Sequence, residues 1–299
     1  MAPVFLDTKK TWKKLEYYIE EASHQESKLI TWGESLIPGY PVWVSSFDGA
    51  RWDSKPQKTV YGRYWSEAVE LDSPIIKKMA KAAEKHKVTL MGGIAERQGA
   101  SIYCTLLTIG SDGRLLGRHR KVKPTFYERL IWADGDAEGL RVHKIDEVPV
   151  GGLCCWENWM PLARAALHRQ GEFIHIAVWP GSLFLVEDVT RFMALEGRSW
   201  VMSVSGLLRP QDFEHLEEDF PYKEGLTGRD RDWYNGGSMA VDPKGSVVAG
   251  PLVGEEGIIY MDVDPMVCVE ERQNLDISGH YSRFDIFNEP LRKKSATDL

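Results

Sequence analysis

The chain has 299 residues, 43% of them hydrophobic, and a formal net charge of -7. That is enough apolar material for a sizeable core, and acidic and basic residues are interspersed, which argues against nucleic acid, anionic membrane or a polyanion as partner. Four cysteines without CxxC spacing, no HExxH pattern, no signal-like start and no run of about 18 apolar residues point to a cytoplasmic protein without disulfides, metal or organic cofactor. No Pro/Gly/Ser-rich linker or tandem repeat divides the chain, so residues 1–299 read as a single domain.

Apolar spacing switches repeatedly between the helical and the strand period, the pattern of a layered α/β fold. After Asp7, a helix-capping residue, Trp12, Leu15, Tyr18 and Ile19 fall at helical spacing. SKLITWGE reads as a short buried strand ending at Glu34, followed by the rigid turn IPGYP. Ser73 and Pro74 form a cap and first-turn pair for a helix whose Ile75, Ile76, Met79 and Ala83 face inward. VTLMGGIAER is a strand, and SIYCTLLTIG and RLLGRHRKVK flank a tight turn at Asp112 and Gly113.

Residues 147–155 form an apolar strand running into Cys155, and WMPLARAALHRQG is a helix stopped by Gly171. FIHIAVWPG, a helix across DVTRFMALEGRS, and the strand WVMSVSG follow. Residues 209–233 are charged and aperiodic and read as a long surface loop. A second hairpin turns about Pro243, Lys244 and Gly245, and GIIYMDVDP supplies a last core strand.

Several residues stand where chemistry is possible. Strand alternation sends Cys154 and Cys155 to opposite sides, so at most one faces a given pocket. Cys155 lies where strand gives way to a helical turn, whose free N–H groups favour a thiolate, and the N–H of Trp156 can face an oxyanion. Both cysteines also suit plain core packing. Glu34 at a strand end is a desolvated general base or a solvated loop residue. In HRKVKP, alternation puts His119, Lys121 and Lys123 on one face, as a solvated run or with Lys121 beside a thiol; Glu128, in PTFYERLIW, is a surface charge or a partner of that lysine. Trp156, Trp159 and Tyr40 suggest a partly aromatic pocket, although eleven tryptophans make such neighbours common.

TWGESLIPGYP, HRKVKPTFYERLIWADGD and GGLCCWENWMPLARAAL, in this order, resemble the nitrilase superfamily, as do RFMALEGRSWVMSVSG, GGSMAVDPKGSVVAGPL and GHYSRFDIF. The resemblance spans nearly the whole chain, and CWENWMPL is similar to the true nitrilase branch. It implies a four-layer α-β-β-α sandwich that pairs into a homodimer or higher homo-oligomer. It also implies hydrolysis of a small-molecule nitrile to acid and ammonia without a cofactor. By the same resemblance Cys155 is the nucleophile, Glu34 the general base, Lys121 the residue that stabilises the tetrahedral intermediate, and Glu128 the second glutamate of the pocket. An amidase of the same fold, or a non-catalytic assembly protein, are the alternatives.

Two departures carry expectations. The family usually begins with a longer first strand than MAPVFLD provides, so a sheet edge should be exposed and the fold weakened unless another segment takes its place. Phe284 stands where the family usually has proline and the chain stops at Leu299, which argues against long spiral filaments.

Overall fold

The computed structural model describes residues 1–291; residues 292–299, the end of the expected single 1–299 domain, lie outside the described residues. The chain begins with helix α1, Thr8–Ser23, whose first turn is capped by Asp7 accepting the Lys10 N–H at 2.9 Å. Trp12, Leu15, Ile19 and Ala22 form its buried stripe. Strand β1, Leu29–Ile37, runs three residues beyond Glu34. Helices α2, Trp43–Ser46, α3, Lys55–Glu67, and α4, Pro74–His86, follow. Ser73 precedes α4 as expected, yet its hydroxyl makes no capping bond; Pro74 opens the first turn by its fixed φ alone.

Strands β2, Thr89–Gln98, β3, Ser101–Ile109, and β4, Leu115–Arg120, complete a four-stranded sheet in the order β1-β2-β3-β4. Only the β1/β2 pair is parallel. The second sheet contains β5, His143–Ile145, β6, Val148–Cys154, β7, Ile174–Trp179, β8, Trp200–Ser205, β9, Leu207–Leu208, β10, Tyr234–Val241, and β11, Val247–Val253. Its path is β11-β10-β8-β7-β6-β5, with β9 against β10, and β6, β7 and β8 run parallel. Helices α5, Pro161–His168, and α6, Leu183–Gly197, carry the crossovers.

α1 and α4 cover the outer face of the first sheet, and α5 and α6 that of the second, while β1 and β3 meet β6, β7 and β8 between them. The layers are therefore helix, sheet, sheet, helix. Between the sheets lie Met91, Ala95, Cys104, Leu106, Cys154, Ile176 and Val178. Short helices α7, Lys223–Thr227, α8, Pro265–Arg272, and α9, Phe284–Leu291, finish the described chain. Among the described residues no helix is long and apolar enough to cross a membrane.

Three expectations are corrected. Residues 209–233 are more than a surface loop, because Phe213, Leu216 and Leu226 are buried in the main core and a 3-10 turn, Pro210–Phe213, and α7 organise the segment. Lys121 is not within a strand but one residue past β4, and Lys123 is exposed and paired with Asp134 instead of sharing the buried face of His119. GIIYMDVDP forms no strand: among the described residues no backbone hydrogen bond reaches residues 257–263, and β1 remains the edge of its sheet.

Candidate active site

The structure brings Glu34, Lys121, Glu128 and Cys155 into one buried cluster between the sheets. Each arrives from a different element: Glu34 from β1, Lys121 from the residue after β4, Glu128 from the 3-10 turn Phe126–Leu130, and Cys155 from the first residue of the turn Cys155–Trp159. All four are at most 3% exposed. Lys121 Nζ donates to Glu34 Oε1 at 2.9 Å and to Glu128 Oε2 at 2.7 Å. One oxygen each of Glu34 and Glu128 and the Cys155 sulfur lie within 4.8 Å of one another.

A buried ammonium between two carboxylates satisfies the rule that buried charge must be paired. Burial alone would pull the Lys121 ammonium down, but Glu34, Cys155 and Glu128 outweigh it and hold it well above the ordinary lysine value. Burial pushes Glu34 up to about 7, against the pull of Lys121 and with the help of the Glu128 charge. The result is a carboxyl that exchanges its proton near neutrality. Its Oε1 also accepts from the Cys104 thiol at 3.2 Å, whereas its Oε2 is buried without a partner.

Burial pushes the Cys155 thiol well above its usual value; Lys121 and the Trp156 N–H pull it down, and Glu34 and Glu128 oppose them. The expectation of a resting thiolate at this turn is thereby corrected, since a single 3-10 turn offers too little dipole to offset burial between two carboxylates. Cys155 has φ +47°, an uncommon region for a side-chain-bearing residue. Both neighbouring cysteines approach Glu34, Cys155 together with Glu128 and Cys154 together with Cys104, the donor atoms of each group lying within 4.8 Å of one another.

Two polar brackets fix the turn. Glu157, fully buried, accepts from the Val122 N–H at 2.5 Å and the Cys154 N–H at 3.1 Å, and its Oε2 lies 2.9 Å from His119 Nε2. It thus ties the segment carrying Lys121 to the one carrying Cys155. Asn158 Nδ2 donates to the Cys155 carbonyl at 2.8 Å, and its Oδ1 meets His175 Nε2 at 2.7 Å, with Glu172 behind that ring.

The aromatic surroundings differ from those expected. Trp156 and Trp159 are each 48% exposed and pair with one another at 6.4 Å, so the Trp156 ring lies outside the cluster and what bears on Cys155 is its backbone N–H, which pulls the thiol down. Tyr40 does belong: its hydroxyl donates to Glu128 Oε1 at 2.6 Å and lies 3.3 Å from Tyr127 Oη, and its ring meets Trp132 and Tyr234 edge-on. Trp132, Tyr127, Tyr234 and Cys104 look like ordinary core in sequence; only the tertiary fold brings Cys104 to Glu34, Tyr127 and Tyr234 to Tyr40, and the Trp132 ring to Tyr40 and Lys121.

Glu34, Glu128 and Cys155 are a donor set of the kind that holds a metal ion, and so are Glu34, Cys104 and Cys154. The cation between the carboxylates is here the Lys121 ammonium. The arrangement combines a thiol, a carboxyl poised near neutrality, and an ammonium with a backbone N–H beside the sulfur, the parts needed for nucleophilic attack on an electrophilic carbon and stabilisation of the charge that results.

Known proteins place the chain. It is 33% identical to an aliphatic nitrilase of Rhodococcus rhodochrous, the alignment covering 99% of this chain and 82% of that one. It is 32% identical to a bifunctional nitrilase/nitrile hydratase of Lupinus angustifolius, over 95% and 82%, and to nitrilase 3 of Arabidopsis thaliana, over 95% and 83%. Its fold is similar to that of a carbon-nitrogen hydrolase from Helicobacter pylori, with a TM-score of 0.71 at 20% identity over 96% and 95% of the two chains. Yeast Nit3, a member of the nitrilase superfamily, gives 0.68 at 21% identity over 94% and 93%. Residues 1–273 match the carbon-nitrogen hydrolase family, and the chain belongs to it.

Proposed function

We propose that this chain is a nitrilase that converts a small organic nitrile to its carboxylic acid and ammonia. The observation that carries the reading is the Lys121 ammonium bound to both Glu34 and Glu128 beside the Cys155 sulfur, in a chain about one-third identical to named nitrilases.

In this reading Glu34 Oε2, the buried oxygen without a partner, takes the Cys155 proton as sulfur attacks the nitrile carbon. The C–S bond forms, the nitrogen gains the proton, and a covalent thioimidate results. Lys121 and the Trp156 N–H stabilise the charge that grows on the substrate in each addition step, and Glu128, held by Tyr40, Lys121 and the Thr125 N–H, fixes the ammonium. Glu34 next takes a proton from water, whose oxygen adds to the same carbon. Ammonia leaves with the proton, and a thioester remains. A second water, activated in the same way, releases the acid and returns the thiol. The net change is one nitrile and two waters to one acid and one ammonia.

If the tetrahedral species instead expels sulfur, the product is the amide. Two relatives from Lupinus angustifolius named bifunctional nitrilase/nitrile hydratase make that a reasonable side product here. The four cysteines are all buried and free, which suits a reducing, cytoplasmic compartment. Exposed Trp156, Trp159 and Leu162, with Phe184 and Phe192 of α6, support pairing with a second copy.

The test is a matched nitrile and amide assayed side by side for ammonia and acid. Faster turnover of the nitrile supports the reading; turnover of the amide alone would move the chain to the amidase branch.

A further inference from the structure

Behind the Cys155 turn lies a buried polar chain that the nitrile mechanism does not use. Asn158, His175 and Glu172 are each at most 1% exposed. Asn158 Nδ2 donates to the Cys155 carbonyl at 2.8 Å and to the Leu153 carbonyl at 3.3 Å. Its Oδ1 lies 2.7 Å from His175 Nε2, and His175 Nδ1 lies 2.9 Å from Glu172 Oε1. Arg164 in turn donates to the backbone carbonyl of Asn158 at 2.7 Å.

The backbone leaves room for this chain. Gly151 of β6 stands opposite His175 of β7 in register, and a methyl group there would strike the Glu172 carboxylate. A methyl group at Gly197 would likewise strike the ring of His168, whose Nδ1 lies 3.4 Å from Glu172 Oε2.

Hydrogen-bond counting fixes the protons. The Asn158 amide nitrogen is committed to two carbonyls, so the atom facing His175 is its oxygen, an acceptor. His175 Nε2 therefore donates. The other ring nitrogen faces Glu172. Burial would raise that carboxyl, but His175 and His168 bring it down to about 2, so it is ionised and can only accept. Nδ1 donates as well, and the ring carries both protons.

Burying a carboxylate and a ring cation is costly, and this pair leads to one backbone oxygen, that of Cys155. The same peptide unit carries the Trp156 N–H, the donor assigned to the anion that forms on the substrate. A hydrogen bond to a peptide carbonyl draws electron density onto its oxygen and makes the N–H of that unit a stronger donor.

We propose that Glu172 and His175, acting through Asn158, are positioning residues for the Trp156 N–H: the carboxylate keeps both ring nitrogens protonated, the ring fixes the Asn158 amide, and the amide polarises the Cys155–Trp156 peptide. A ring with one proton fewer would set a bare nitrogen against the Asn158 oxygen. The amide would then turn over, and the Cys155 carbonyl would lose its donor. The role rests on the nitrile reading for the anion that it serves.

The first measurement is nitrogen-15 NMR of histidine-labelled protein at neutral pH, with the His175 ring assigned by its contacts to Asn158. Two ring N–H signals are expected from His175 in the wild type and one in Glu172→Gln. A single ring N–H in the wild type would overturn the proposal, and that spectrum decides alone if Glu172→Gln does not fold. The second is a kinetic split in Glu172→Gln. For nitrile or amide, whichever is turned over, kcat is expected to fall about tenfold with KM within about twofold. Affinity for butanal or benzaldehyde, whose thiohemiacetal oxygen uses the same N–H, is expected to fall by the same factor. Alkylation of Cys155 by iodoacetamide develops no such anion and is expected to stay within about twofold of the wild type. An unchanged kcat, or a parallel loss of kcat, KM and alkylation, would overturn the proposal, the latter by reducing the chain to a structural bracket. Failure of the nitrile reading shows separately, as absent nitrile turnover with the aldehyde effect intact.

Discussion

Glu34 and Lys121 form a fully buried ion pair that engages only one carboxylate oxygen: Oε1 accepts the ammonium at 2.9 Å, and Oε2 is left with no partner. In the proposed mechanism that asymmetry gives a single carboxylate two tasks. One oxygen anchors it to the cation and the other is free to move a proton.

The pair makes a pH-dependence testable. As the proposed base Glu34 acts only when ionised, and burial raises it to about 7. Activity should therefore rise with pH through about 7 and fall about tenfold per unit below it. The check is kcat/KM for one nitrile from pH 5 to 9. An acid limb near the ordinary glutamate value would mean that water reaches Glu34 and that burial does not control it.

Cys104 shares Oε1 with Lys121, and burial keeps its thiol protonated and hence a donor. Replacing Cys104 by Ala should let Glu34 turn and lower kcat by about tenfold, the worth of one hydrogen bond to a charged group. Cys104→Ser, which keeps a donor, should recover most of it with the pH profile unchanged. Equal rates in the wild type and the alanine variant would remove Cys104 from the positioning of Glu34.

Glu157 bridges the segments that carry Lys121 and Cys155 through His119, the Val122 N–H and the Cys154 N–H. Glu157→Ala leaves these groups buried and unpaired, at a cost of about 3 kcal/mol. A urea-midpoint comparison measures it; a loss under about 0.5 kcal/mol would show that the bracket is dispensable.

His168 lies 3.4 Å from Glu172 and 3.7 Å from Glu196, ion-pair distances longer than a good hydrogen bond. Burial would lower this imidazole, but the two carboxylates raise it to about 9, while its charge with those of His175 and Arg164 brings Glu172 and Glu196 down to about 2 against their own burial. The raised histidine stabilises the fold fully below its usual 6.5, and that contribution disappears as pH rises through 9. The lowered glutamates stabilise it above their usual 4.5, and that contribution disappears as pH falls toward 2. Tm should therefore be highest between these limits and drop by roughly 5 °C from pH 6.5 to 9. His168→Gln should flatten the alkaline decline; an unchanged decline would place its cause elsewhere.

Much of this was legible in the sequence. Cys155, Glu34, Lys121 and Glu128 were singled out by position and motif, and the structure brings all four together. The α1 stripe and the Asp242–Ser246 hairpin turn were readable because their signals are local. Helix α3 was not, since only Val60 and Tyr64 of its thirteen residues are buried and no apolar stripe marks it. Nor was the packing of Phe213, Leu216 and Leu226, whose spacing fits no regular period. The strand expected at GIIYMDVDP fails for a different reason: its apolar pattern is right, but a strand needs a paired neighbour, and among the described residues no backbone hydrogen bond reaches residues 257–263.

The most direct test of the central claim is ammonia and carboxylate release from aliphatic, arylaliphatic and aromatic nitriles by the wild type and by Cys155→Ala. Acid from at least one class is expected, with a loss of about 10⁴-fold or more in the variant, because without sulfur no thioimidate forms. Nitrile turnover that survives in Cys155→Ala would contradict it.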